Sequence, residues 1–171
     1  MSKPVNPNFY EVYGEIWSKT ERRELERLDT ANKIKNLSTL LNGIKPRSIL
    51  DYGCGLGDAL QLLANHFQVT DATGVDISST MIAAARQEHP ECTFVHGGIE
   101  VVEGHKVDLI TFIDVLEHLE DIPFVLTTAK RSATYIAIKI PLEKTWLIAL
   151  LNVLRLKQPR SFAYESEGHL Y

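Results

Sequence analysis

The sequence predicts an open α/β fold, a doubly wound and mainly parallel sheet with helices on both faces. Three observations point to it. Short apolar segments of strand character alternate with helical segments from residue 48 to residue 141, the pattern of repeated βαβ units. The stretch Ser48–Leu60, S-I-L-D-Y-G-C-G-L-G-D-A-L, reads as a buried strand that breaks into a glycine turn and opens a helix near Asp58. Acidic residues, Asp51, Asp76 and Asp114, stand at or beside the ends of predicted strands. Carboxyl ends of parallel strands are where open α/β sheets bind ligands.

Residues 1–8 are polar with two prolines and read as an arm. Phe9–Trp17 puts Tyr10, Tyr13 and Trp17 on one face if helical, either packed on the domain or lying over a ligand. Ser18-Lys19-Thr20-Glu21 fits a capping box. The following helix carries Leu25, Leu28, Ala31, Ile34, Leu37 and Leu41 as its inward face, and Glu21–Arg27 reads as a solvated charged face. Gly43 and Pro46 end it.

In the glycine turn, Gly53, Gly55 and Gly57 permit positive φ and close approach of a ligand to the main chain. The spacing is G-x-G-x-G, one residue short of the dinucleotide fingerprint. Asp51 and Asp58 flank it, and two carboxylates are poor neighbours for a pyrophosphate. They suit a ligand with positive charge and no phosphate. D-Y-G-C-G-L-G resembles the first motif, acidic-x-G-x-G-x-G, of class I S-adenosylmethionine (SAM) dependent methyltransferases, in their small-molecule, type 11/23-like branch.

That resemblance covers roughly residues 45–142 and implies a Rossmann-like sheet of order 3-2-1-4-5. It implies SAM as cofactor, and Asp51, Gly53, Cys54, Gly55 and Gly57 around it. Asp76 ends the second strand, A-T-G-V-D-I-S, about 20 residues past the glycines, where an acid accepts from both ribose hydroxyls. Ile77 follows it, and Ser78 caps the helix Ser79–Glu88. Cys92–Val95 is the third strand. The resemblance places Gly98 and Ile99, in H-G-G-I-E, beside the adenine, although Ile99 stands where the family often has an acid. A plain turn is the competing account of Gly97-Gly98.

Residues 106–114, K-V-D-L-I-T-F-I-D, read as a central fourth strand. Its D-V-L-E-H end resembles the family motif beneath the methionine end of the cofactor, with Asp114 and Val115 in contact. The D-x-x-E-H spacing also resembles a proposed metal cluster in ubiquinone-biosynthesis O-methyltransferases. A turn explains Glu117 and His118 equally well, and we expect no metal. His118 and His169 are the candidate general bases. Asp121 caps the next helix with Pro123 in its first turn, and residues 133–141 form the fifth strand.

Trp146–Leu156 is strongly apolar but too short to span a bilayer. The family's final antiparallel strands, six and seven, have no counterpart, so a truncated or shortened domain is expected. Its fifth strand would be an edge needing cover from residues 145–171, a protein partner or a second copy. The expected layout is an arm and cap helix over 1–44, a SAM-binding core over 45–142, and an apolar helix and tail over 143–171.

The 171 residues carry a net charge of −4, which argues against nucleic acid as partner. Cys54 and Cys92 read as reduced thiols of a cytoplasmic protein, and the N-terminus lacks an apolar signal segment. The expected activity is methyl transfer from SAM to an N, O, S or C nucleophile of a small molecule. The alternatives are a non-catalytic SAM-binding module or a fragment of a larger methyltransferase assembly. A nicotinamide dehydrogenase is disfavoured by the short glycine spacing and the acidic strand end.

Overall fold

β1, Ser48–Tyr52, is buried along its whole length, and the remaining strands are laid out from it. The computed structural model describes residues 20–141. α1 (Thr20–Leu40) precedes β1, and α2 (Asp58–Phe67), β2 (Asp71–Asp76), α3 (Ser79–Glu88) and β3 (Thr93–His96) follow. Next come β4 (Val107–Ile113), α4 (Ile122–Ser132) and β5 (Ala133–Lys139). The strands pair in the order β3-β2-β1-β4-β5, all parallel, as expected.

Alternating side chains divide between two cores, as the pleat requires. Ile49 and Leu109 face one side with Leu60, Leu63 and Ile82 of the helices, and Ile34 and Leu37 of α1 join them. Leu50, Ile110 and Phe112 face the other side against Val125 and Ala129 of α4. The helices therefore cover both faces, and β1 and β4 read as nearly continuous apolar runs because both their faces are buried. Ser78 caps α3 by accepting from the Met81 N–H, and Asp121 caps α4 by accepting from the Phe124 N–H.

α1 departs from expectation. Ile34 and Leu37 are buried, but Leu25 and Leu28 are 68% and 65% exposed and Ala31 also faces out. A run spaced by threes drifts about 60° per step around a helix of 3.6 residues per turn. Leu25 thus lies roughly opposite Ile34. On Ile34's face stands Arg23, only 8% exposed. The segment read as a solvated charged face therefore supplies a buried cation to the interface with α2 and α3.

β5 is the edge of the described sheet, with Tyr135 and Ile138 exposed on it. Among the described residues, no helix is long and apolar enough to cross a membrane. The aromatic segment 9–17, the Ser18 cap, the apolar run 146–156 and His169 lie outside the described residues.

Candidate functional site

The glycine turn joins three strand tips. The Gly53 and Cys54 N–H groups both donate to the Val75 carbonyl, at 2.8 and 3.1 Å. The Gly55 N–H donates to Asp76 Oδ2 at 2.9 Å, and the Gly57 N–H to the Cys54 carbonyl at 2.9 Å. These four amides are already committed, so the turn does not offer them to a phosphate. Gly53, at φ 74°, is pressed against the loop after β4, where a Cβ would stand 2.4 Å from Val115 Cγ2. Gly55, at φ 53°, has nothing within 4 Å of the position a Cβ would take. It leaves an open cradle at the carboxyl end of the sheet.

Around this cradle the sheet gathers negative charge. Asp51 is 2% exposed and accepts from the Thr111 hydroxyl at 2.6 Å. Burial pushes its carboxyl up to about 7; the Thr111 bond opposes this and the Asp76 charge adds to it. Asp76 also accepts from the Ser78 N–H at 2.8 Å. Burial, then the charges of Glu100 and Asp76, push the Tyr52 phenol up. The tips of β1 and β2 and the turn after β3 thus share one acidic field, which suits a cationic ligand and repels a pyrophosphate.

The remaining candidates fall as follows. Cys54 is a core residue: its Sγ would lie 2.7 Å from a Cβ on Gly74, and burial, then Asp51 and Asp76, push the thiol well up. Its side chain faces the sheet, so any role toward a ligand is confined to its main chain. Ile77 is 51% exposed beside Asp76. Gly98 opens a short 3-10 turn, Ile99–Val101, and its N–H is taken by the Glu100 carboxylate, whose pKa that bond lowers. Ile99 is half-buried there. His118 closes a second 3-10 turn, Leu116–His118, just beyond Val115.

Asp114 lies at the tip of β4 in the left-handed region, φ 54°. Its N–H donates to the Lys139 carbonyl at 2.9 Å. Its carboxylate is shared by Lys33 of α1, at 2.9 Å, and Lys139 of β5. Asp58 corrects the sequence reading in another way. Its carboxylate turns to the back of the turn, onto Arg23, Arg27 and His89, so Asp58 is not a neighbour of the cradle. Among the described residues, the group of His, Cys, Asp and Glu close enough to hold a cation is Asp58, Glu88 and His89, not Asp114, Glu117 and His118. The guanidinium of Arg23 already contacts both its carboxylates.

A family profile described as a methyltransferase domain matches residues 21–166, most of the chain. The chain belongs to the methyltransferase domain family. Curated relatives of this methyltransferase domain include a trans-aconitate 2-methyltransferase of Yersinia pseudotuberculosis serotype O:1b (strain IP 31758). It is 37% identical over 79 residues, covering 44% of this chain and 31% of the relative. The trans-aconitate 2-methyltransferase of Enterobacter sp. (strain 638) is 32% identical over 106 residues, 61% of this chain and 37% of the relative. The chain thus spans about a third of the length of these curated relatives.

Among solved structures, the methyltransferase domain resembles the plantazolicin methyltransferase BpumL, crystallised with a monoazolic desmethylPZN analog and SAH. The TM-score is 0.56 at 18% identity, over 91% of this chain and 67% of that one. It also resembles magnesium protoporphyrin IX methyltransferase (ChlM) from Synechocystis PCC 6803 with bound SAM. There the TM-score is 0.56 at 18% identity, over 78% and 74% of the two chains. At that identity the likeness is one of fold.

Sequence reasoning missed four residues that hold the candidate acids Asp51, Asp58 and Asp114: Thr111 on Asp51, Arg23 on Asp58, and Lys33 and Lys139 on Asp114. Lys139 carried a signal, as a charged residue at the tip of a predicted strand in I-K-I-P. It stands where Asp76 stands on β2. Arg23 and Lys33 carried none, because their positions depend on how α1 is rotated.

Proposed function

We propose that this chain is the cofactor-binding core of an S-adenosylmethionine-dependent methyltransferase that acts on a small molecule. One observation carries the reading: an open cradle at Gly55 whose surrounding amides are committed and whose rim is acidic. Such a site matches a nucleoside bearing a sulfonium and an ammonium better than one bearing phosphates.

When bound, SAM supplies a methyl group made electrophilic by the adjoining sulfonium. The chain's own residues position it. Asp76 accepts from the ribose hydroxyls while its bond to Gly55 holds the turn in shape. Gly55 presents bare main chain, while Gly53 and Gly57, packed against Val115 and Phe94, and the Cys54 backbone hold the turn around it. Ile77, Gly98 and Ile99 flank the adenine, and Asp51 supplies negative charge beneath the cradle. Asp114 and Val115 mark the methionine end. His118 takes the proton from an acceptor that has one to lose, with His169 the weaker candidate. Fixing two reactants in this way can lower a barrier by about 7–11 kcal/mol.

The names of the curated relatives support a small acidic acceptor, since trans-aconitate is a tricarboxylate. The layout we adopt is a core over 45–142, with residues 1–44 and 143–171 around it. Residues 145–171, a protein partner or a second copy would cover Tyr135 and Ile138 on the edge strand. A reducing, cytoplasmic setting suits the free thiols of Cys54 and Cys92.

Isothermal calorimetry with SAM, SAH and NAD tests the cofactor. We expect saturable binding of SAM and SAH and none of NAD. Absence of SAM binding by the folded chain would end the reading.

A further inference from the structure

Two lysines from different elements converge on one carboxylate at the mouth of the crevice. Lys33 reaches Asp114 Oδ2 from α1 at 2.9 Å, and Lys139 reaches Oδ1 from the end of β5. Lys33 also pairs with Asp29 one turn before it, at 2.6 Å. The Lys33, Lys139 and Asp114 side chains are 24%, 29% and 24% exposed, so the cluster is neither buried in the core nor free in solvent. Burial works against the Lys33 ammonium, but the Asp29 and Asp114 carboxylates outweigh it and hold its pKa above the ordinary lysine value. Lys33 is thus firmly charged at neutral pH.

Location sets this cluster apart from an ordinary surface ion pair. Asp114 adjoins Val115, whose side chain fills the space a Cβ on Gly53 would need. The lysines therefore sit a residue or two from the wall of the glycine turn, above the tips of β4 and β5. The tips of β1 and β2 and the turn after β3, on the other side of that turn, carry Asp51, Asp76 and Glu100. Charge along the strand tips therefore passes from acidic around Asp51, Asp76 and Glu100 to balanced around Asp114, where Asp29 and Asp114 offset the two ammoniums. Each ammonium has three donors. Lys33 uses two of them on Asp29 and Asp114, and Lys139 uses one on Asp114, among the described residues. The remaining donors are positioned by those two carboxylates.

We propose that Lys33 and Lys139 form a carboxylate-binding subsite at this end of the crevice, with Asp114 as the residue that positions both ammoniums. The proposal rests on the SAM reading above and deepens it. Two sources can supply the carboxylate: the methionine moiety of the cofactor, or an acidic acceptor. An ionised carboxylate acceptor would need no base. Its oxygen forms the bond to the methyl carbon, the carbon–sulfur bond breaks, and that electron pair stays on sulfur as a neutral thioether.

The test is calorimetric and independent of turnover. The probes are SAM, decarboxylated SAM, and trans-aconitate titrated into the SAH-saturated chain. The variants are Lys33→Gln/Lys139→Gln and the charge-keeping Lys139→Arg. If the cofactor supplies the carboxylate, the double variant binds SAM at least tenfold more weakly and decarboxylated SAM unchanged. If the acceptor supplies it, both cofactor affinities hold and trans-aconitate binding falls at least tenfold. In either case Lys139→Arg stays within about threefold of wild type. The proposal is overturned if the double variant matches wild type toward SAM and trans-aconitate, or if it loses decarboxylated SAM as strongly as SAM. Should the double variant unfold, Lys139→Gln alone, altered at the end of an edge strand, carries the same comparison. A wild-type chain that binds no SAM overturns the cofactor reading, and this subsite with it. Wild-type binding with indifferent variants overturns the subsite alone.

Discussion

Helix α1 holds two ion clusters, ten residues or about 15 Å apart along its axis, and they differ in what they enclose. At its first turns, Arg23 sits 8% exposed and bonds both Asp58 and Glu88, with Arg27 on Glu88 at 2.8 Å and His89 on Asp58 at 3.1 Å. Two guanidiniums and an imidazole close over two carboxylates at the back of the glycine turn. Further along, Lys33 and Lys139 share Asp114 at the front of the same turn, partly in solvent. The rear cluster locks three helices together, and its arginine has no room for a ligand. The front cluster keeps donors to spare at a crevice mouth. On the proposal above, similar chemistry serves stability around Arg23 and recognition around Asp114.

The sharpest way to break that comparison is Arg23→Ala. Breaking a buried pair costs about 3–5 kcal/mol when the charge left behind is uncompensated, and here Arg27 and His89 still face Asp58 and Glu88. Glu88 is 30% exposed, so we expect the lower end, about 3 kcal/mol, in urea denaturation. Affinity for SAM, measured on the fraction that remains folded, should change little. Equal stability losses for Arg23→Ala and Lys33→Ala would show that the two clusters do the same work.

Asp76→Ala tests the ground between them, since Asp76 supports the turn through Gly55 and Ser78 and also faces the proposed ribose. Losing a charged acceptor of ligand hydroxyls should weaken SAM binding by ~1.5–3 kcal/mol, read by calorimetry. A variant that loses stability and keeps its affinity would move Asp76 to the side of Arg23.

How much of this was legible in the chain depends on which residues are asked about. The strand order and the placement of Asp51, Asp76 and the glycines follow from patterns local in sequence: apolar runs, a glycine turn and acids at strand tips. The caps Ser78 and Asp121 were equally local. α1 was misread because apolar residues at strict three-residue spacing do not stay on one face. Once the face was wrong, Arg23 became solvent decoration and Lys33 was invisible. Asp58 was misassigned for a related reason. Its place beside the glycines is written in the sequence, but the direction of its side chain is decided by arginines 31 and 35 positions earlier.

Asp51 gives a pH test that neither cluster should reproduce. Its folded-state pKa of about 7 lies above the ordinary value of 3.8, so between those values the folded chain holds a proton the unfolded chain has lost. The stabilisation from this group is fully present below pH 4 and is lost as pH rises through 7. Asp51→Asn should flatten this fall, which we expect to be on the order of 1 kcal/mol or more, in urea titrations at pH 5 and pH 8. A cationic ligand favours the ionised form, so SAM binding near pH 6.5 should release protons. Calorimetry in buffers of different ionisation enthalpy would show it, and wild-type heats that do not depend on buffer would remove Asp51 from beneath the cradle.

The smallest effect separates the clusters most cleanly. A partly exposed ion pair contributes about 0–1 kcal/mol, so Lys33→Ala should cost less than 1 kcal/mol of stability. What it does cost should shrink with salt, because the Debye length falls from about 10 Å at 0.1 M to about 3 Å at 1 M. The Arg23–Asp58 pair, shielded from solvent, should keep most of its cost over the same range. Denaturation of both variants at 0.1 and 1 M sodium chloride therefore gives a difference of differences that does not depend on any ligand. If the Lys33 cost persists in high salt, its pair with Asp114 is sealed like that of Arg23. The donors assigned to a carboxylate at the mouth would then have no solvent path by which one could reach them.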